Sequence, residues 1–178
     1  TLSLHDALPI SFEQEIGFYY QHQQMGPKFN PFFIPKMISD IAAGQISILY
    51  GFRGPNYSIA SACASSTNAM IDAFNYIRLG KAKVILTGGA EASITPGGVG
   101  GFNAMNAIST RNDSPETASR PFSASRDGFV IGEGAGCLVF EELEHALARG
   151  AHILCEVVGG GMSADAHHLT ATHPEGLG

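Results

Sequence analysis

The stretch Ser58-Ile59-Ala60-Ser61-Ala62-Cys63-Ala64-Ser65-Ser66 holds the residue best suited to covalent chemistry. An extended run gives way there to a helical one, and a cysteine stands at the junction among small neighbours. Small side chains permit a tight turn and leave a substrate room to reach the sulfur. The free N–H groups and positive dipole end of the following helix favour a thiolate over a thiol. A backbone N–H at the same junction can form half of an oxyanion hole for acyl transfer. A second reading stays open, in which Cys63 is a small buried hydrophobe like most free cysteines. Cys137 and Cys155 fit that second reading, each lying inside an apolar run that reads as a strand.

Other polar groups carry less. His167, His168 and His173 crowd the end of the chain. No Cys or carboxylate cluster joins them at a recognised ligand spacing, so no metal site is predicted. Gly132, Gly134 and Gly136 miss the G-x-G-x-x-G spacing of a phosphate loop, and a strand follows them instead of a helix. Arg111, Arg120, Arg126 and Asp127 are expected to hold loops together by ion pairs, and Glu91 to accept hydrogen bonds beside a buried strand. His145 and His152 flank a helical run and are expected in solvent.

The elements that must position these groups follow from hydrophobic spacing. Residues 13–24 read as a helix, with Ile16, Tyr19 and Tyr20 at i, i+3, i+4. A loop is predicted over 27–35, and helical spacing resumes through Ile34, Met37, Ile38, Ile41 and Ala42 up to Gly44. Residues 56–60 read as extended. Residues 64–79 read as a buried helix, with Ala69, Met70, Ala73, Phe74 and Ile77 on one stripe and Gly80 as its cap. Val84-Ile85-Leu86 and Cys137-Leu138-Val139-Phe140 read as strands covered on both faces. Residues 97–101 read as a glycine-rich connection and 112–126 as a polar loop. A helix over 141–149, with Leu143, Ala146 and Leu147 inward and closed by Gly150, leads to a further strand over 153–158. From Gly159 the chain reads as a polar, His-bearing loop. Strands alternating with helices point to an α/β layered fold.

Composition narrows the class. The 178 residues carry 10 Lys+Arg against 16 Asp+Glu, a net charge of −6, and only 15% are charged. Ordinary soluble domains are about a quarter charged. An acidic chain without basic clusters is a poor nucleic-acid binder, and 44% hydrophobic content is too high for a disordered segment. No apolar run reaches the ~18 residues of a membrane span; the best candidate, 32–52, contains Lys36 and Asp40. Three cysteines cannot form a paired framework, which fits a reducing, cytoplasmic setting. Residues 1–10 lack the basic lead of a signal peptide, and His5 and Asp6 interrupt them. The low charge suggests a surface covered in part by protein outside this chain.

A series of motifs follows the cysteine segment: Gly88-Gly89-Ala90-Glu91, Gly97-Gly98-Val99-Gly100-Gly101-Phe102, Ser109-Thr110-Arg111-Asn112-Asp113 and Arg120-Pro121-Phe122. Arg126-Asp127-Gly128-Phe129-Val130, Gly132-Glu133-Gly134-Ala135-Gly136 and Gly161-Met162-Ser163-Ala164-Asp165 complete it. In this order and spacing the chain resembles the β-ketoacyl-[acyl-carrier-protein] synthases of the synthase II type. The match runs from about residue 12 to 178, with 1–11 as an unmatched leader.

The resemblance implies a thiolase-like five-layer α-β-α-β-α fold, of which only the central portion is present, working as a homodimer. It implies Cys63 as nucleophile in a decarboxylative condensation that lengthens an acyl chain by two carbons from malonyl-carrier protein. It also implies acyl-pocket positions at Phe102, Gly98 and Phe33, and a loop at the active-site entrance bearing Asp165, His168 and Thr170. Lys28 corresponds to a basic position that docks acyl carrier protein, whereas Asn106 replaces a family arginine. No bound cofactor is implied; substrates ride on the carrier's phosphopantetheine arm. The family's two catalytic histidines and lysine belong to motifs downstream of the matched region, so this chain alone is expected to be inactive in condensation. A polyketide-type ketosynthase, or its non-catalytic chain-length partner, is the alternative, although such partners usually lack the cysteine. A Cys-His hydrolase would need an imidazole, such as His168, beside the Cys63 sulfur.

Overall fold

A computed structural model describes residues 2–3, 7–26 and 29–178. Its centre is a three-stranded sheet in the order β1 (Leu2–Ser3), β2 (Val84–Glu91), β3 (Gly134–Glu141). β1 runs parallel to β2, with Leu2 opposite Gly88, and β3 runs antiparallel, pairing Val84 with Glu141 through to Glu91 with Gly134. The helices are α1 (Ala7–His22), α2 (Phe33–Met37), α3 (Ile41–Tyr50), α4 (Ser65–Arg78), α5 (Pro96–Ala104) and α6 (Leu143–Ala148). None is long and apolar enough to cross a membrane.

α4 packs on β2 because its inward positions are small. Ala69 is 0% and Ala73 2% exposed, which lets the helix axis lie close to the strand. Gly80, at φ +66, ends the helix as the spacing predicts, and its N–H donates to the Ile77 carbonyl at 2.9 Å. The middle of β2 is the tightest part of the sheet. Thr87 is fully buried, and a Cβ at Gly88 would collide with the Gly136 carbonyl on β3.

Four expectations need correction. The helical spacing over 34–42 is not one helix: Ile38 is extended between α2 and α3, where Ser39 and Asp40 favour a boundary over a helix interior. The predicted loop over 27–35 accordingly ends early, at Phe33. The glycine-rich 97–101 is helical and not a connection, because Thr95 caps it: its Oγ1 accepts the Gly98 N–H at 3.0 Å, with Pro96 at the first helical position. Residues 153–158 form no strand, since none of the described strands pairs with them, and isolated β-propensity does not order a segment.

The covered strands are also more open than predicted. β3 is exposed from Gly134 to Val139, and Val84 is exposed on β2. Cys137 and Cys155 therefore face solvent and are not buried hydrophobes. His145 is not free in solvent either. Its Nδ1 pairs with Glu141, whose other contact is a bidentate fork from Arg149 at 2.6 and 2.7 Å.

Candidate active site

Cys63 lies in a single 3-10 turn, Ala62–Ala64, immediately ahead of α4. The chain enters it through Ala62 at φ +48, a left-handed conformation that costs a residue with a Cβ. Three polar side chains hold the entry. The Ser61 N–H donates to Ser65 Oγ at 2.8 Å, Ser65 Oγ donates to the Ala62 carbonyl at 2.7 Å, and Asn68 Nδ2 donates to Ser61 Oγ at 2.7 Å. The turn leaves Cys63 exposed at the rim of a cavity of about 230 Å³.

The opposite wall of that cavity comes from paired strand ends. Gly89, Ala90 and Glu91 on β2 face Gly136, Ala135 and Gly134 on β3 in register, and all six line it with Ser65 and Ser66. Five of those six strand residues are Gly or Ala, so the sulfur is approached across nearly bare backbone. The signal for this wall was in the sequence, as two glycine-rich strand ends, but strand register was needed to bring them to the cysteine. Glu91 accepts a hydrogen bond from Ser93 Oγ at 2.8 Å.

Among the described residues, none that lines the cavity is a histidine. His168 Nδ1 accepts the N–H groups of Thr170 and Ala171, both at 3.1 Å, so it serves its own turn. Asp165 Oδ2 accepts the His173 N–H at 2.9 Å in the same loop, and the His167 and His173 rings meet edge to face at 4.9 Å. Among the described residues no group of three His, Cys, Asp or Glu could hold a metal ion.

Phe102, Gly98 and Phe33 lie outside the cavity lining. Phe102 sits on α5 with its ring edge to face against Phe129 at 5.1 Å, and a Cβ at Gly98 would strike the Ser93 carbonyl. Phe33 stacks on Phe29 at 5.4 Å and on Phe12 of α1 at 6.4 Å. α1 and α5 are joined through Glu13, whose Oε1 accepts from Thr95 Oγ1 at 2.8 Å and from the Gly97 N–H at 2.9 Å. Lys28 lies outside the described residues. Asn106 closes α5 at φ +52, a conformation that asparagine adopts more readily than most residues.

Charge placement is structural elsewhere. The arginine–aspartate loop is held by bonds to neutral groups more than by the expected ion pairs. Arg120 donates to Thr117 and Ser125, and Arg111 to the Ser125 carbonyl. The Ser109 hydroxyl bonded to Asp127 lowers that carboxyl's pKa. Burial, then the Asp72 carboxylate, pushes the Tyr57 phenol up. The Arg149 fork, then His145, holds Glu141 down at about 2.

A cysteine stands on a strained turn before a helix, backed by a mixed sheet, and likeness to solved ketosynthases shows the fold to be a partial thiolase-like one. The family described as "Beta-ketoacyl synthase, N-terminal domain" matches residues 10–146, and the chain belongs to the β-ketoacyl synthase family. It is 52% identical over 151 residues to 3-oxoacyl-[acyl-carrier-protein] synthase I, chloroplastic, of Arabidopsis thaliana, covering 85% of this chain and 32% of that one. It is 51% identical over 165 residues to 3-oxoacyl-[acyl-carrier-protein] synthase 2 of Staphylococcus aureus, covering 90% and 41%. The chain thus spans about a third to two-fifths of these relatives' length. Among solved structures, a β-ketoacyl synthase from Burkholderia phymatum STM815 superposes with TM-score 0.81 at 36% identity, over 95% of this chain and 41% of that one. A type II polyketide ketosynthase solved in complex with its acyl-carrier protein, AntDE:AntF, gives TM-score 0.73 at 30% identity, over 85% and 39%.

Proposed function

We propose that the whole protein elongates fatty acyl chains, with Cys63 as the acyl-accepting nucleophile. The Cys63 thiolate attacks the thioester carbon of an acyl-[acyl-carrier-protein], and the carrier thiolate leaves. Malonyl-carrier protein then loses CO₂, its carbanion attacks the acyl-Cys63 carbonyl, the Cys63 thiolate leaves, and a 3-oxoacyl chain two carbons longer remains on the carrier. Splitting condensation this way is what a covalent thioester allows. The observation that carries the reading is the placement of Cys63: exposed, on a turn ahead of α4, over a cavity walled by glycine and alanine.

The names of the two relatives support the fatty acyl substrate, and the complex of AntDE with AntF supports a carrier protein as partner. In this reading the protein works in the cytoplasm as a homodimer, without a bound cofactor, on substrates carried by phosphopantetheine. A polyketide-type role draws on weaker likeness, 28% identity to the ishigamide ketosynthase/chain length factor against 51–52% to the 3-oxoacyl synthases. Cys63 itself speaks against a non-catalytic partner.

Intact-mass and peptide mass spectrometry after incubation with an acyl-[acyl-carrier-protein] test the assignment. The acyl adduct is expected on Cys63 and absent from Cys63→Ser. Because all three cysteines are exposed, an adduct on Cys137 or Cys155 instead would overturn it.

A further inference from the structure

We propose that Ser65 is a positioning residue for the Cys63 thiol, a role that rests on the acyl-transfer reading above. A residue with a Cβ at φ +48 stays there only where its surroundings over-determine it. At Ala62 the backbone bonds of the turn, from the Ala64 N–H to the Ser61 carbonyl and from the Ser65 N–H to the Ala62 carbonyl, are reinforced by one hydroxyl that reaches both sides. Ser65 Oγ accepts the Ser61 N–H and donates to the Ala62 carbonyl, so it grips the backbone on both sides of the strained residue. Ser65 is 3% exposed, so water cannot take over either bond. Asn68 steadies the same entry through Ser61 Oγ.

Ordinary helix chemistry does not account for this serine. The N-cap position of α4 is Ala64, which supplies no side-chain cap, and Ser65 is the first residue inside the helix. A serine there could return a bond to the carbonyl three residues back. It has no such reason to accept an N–H from outside the helix at the same time. The direction of the Ala62 carbonyl sets how the next residue leaves the turn, and that residue is the nucleophile. Ser65 thereby aims the sulfur into the cavity without itself taking part in bond making.

The test is the rate at which iodoacetamide alkylates Cys63, read by peptide mass spectrometry of the 178-residue chain. Cys137 and Cys155 serve as exposed controls in the same digest. Ser65→Ala is expected to slow Cys63 about tenfold while leaving the two controls unchanged. Ser65→Thr, which keeps the hydroxyl, retains more of the rate than Ser65→Ala. Adding Ala62→Gly to Ser65→Ala recovers most of the loss, because glycine adopts a positive φ without the grip. An unchanged Cys63 rate in Ser65→Ala, a parallel change at all three thiols, or no recovery with Ala62→Gly would each overturn the proposal. Should Ser65→Ala fail to fold, the double variant decides: a folded, reactive chain supports the grip, and an unfolded one sinks it. Acylation of the wild type, measured in parallel, separates this from the parent reading. Loss of acyl transfer with the Ser65 dependence intact would remove the acyl-transfer reading and leave the positioning role standing.

Discussion

Cys63, Cys137 and Cys155 all reach solvent, so exposure alone does not choose a nucleophile. What separates Cys63 is the backbone beneath it: a left-handed alanine behind, a helix N-terminus ahead, and bare strand ends opposite. The cysteine was legible from its small neighbours and its place at a change of element. The hydroxyl grip was not, because Ser61, Ser65 and Asn68 look like ordinary polar residues of a first helical turn until the fold brings them round Ala62. At the same scale, Glu141 makes a pH prediction. Its folded pKa is depressed from the usual 4.5 to about 2 by Arg149 and His145. Its contribution is therefore present above pH 4.5 and is lost as pH falls toward 2. Glu141→Gln is expected to flatten the fall in melting temperature across that acid window; a slope unchanged from wild type would show that the cluster does not stabilise the fold.

At the scale of elements, α5 is the instructive case. Four of its nine residues are glycine, and glycine inside a helix costs about 0.5–1 kcal/mol relative to alanine. Its helicity comes from outside the run, through the Thr95 cap, Pro96 and the reach of Glu13 from α1. Gly100 has open space where a Cβ would go, whereas a Cβ at Gly98 meets the Ser93 carbonyl. Gly100→Ala should therefore raise stability by about 0.5–1 kcal/mol, and Gly98→Ala should lower it, both read from chemical denaturation. The same sign for both would refute the packing argument. α4 was legible because its apolar stripe and Gly80 agree; α5 and α3 were not, because glycine was taken as a stop. α3 runs through Gly44 to Tyr50 and ends at Gly51, whose left-handed conformation returns its N–H to the Ser47 carbonyl. Periodicity finds helices that bury a face, and it misses those held by their ends.

The whole molecule carries its apolar surface outward. Leu154 is 81% and Val158 83% exposed, Phe122 and Leu169 are almost bare, and Leu138 and Val139, neighbours on a strand, open both faces of β3. With 15% charged residues there is little polar surface to offset this, and contiguous exposed apolar patches of this kind drive association. The chain alone is expected to bind a hydrophobic dye and to elute from size-exclusion columns as concentration-dependent assemblies. A dye-silent chain that stays monomeric at every concentration would contradict that. The Glu13 carboxylate meets Thr95 and Gly97 across 82 and 84 positions of sequence, and β2 finds β3 only after a loop of roughly forty residues closes. Such distant pairings slow the search for the native state. On the ribosome, α1 must wait for most of the first hundred residues before its acidic anchor finds its hold, and the cysteine turn is complete well before the strand that walls it. The Cys63 turn is thus built early and walled late, which leaves its thiol uncovered on a nascent chain during synthesis.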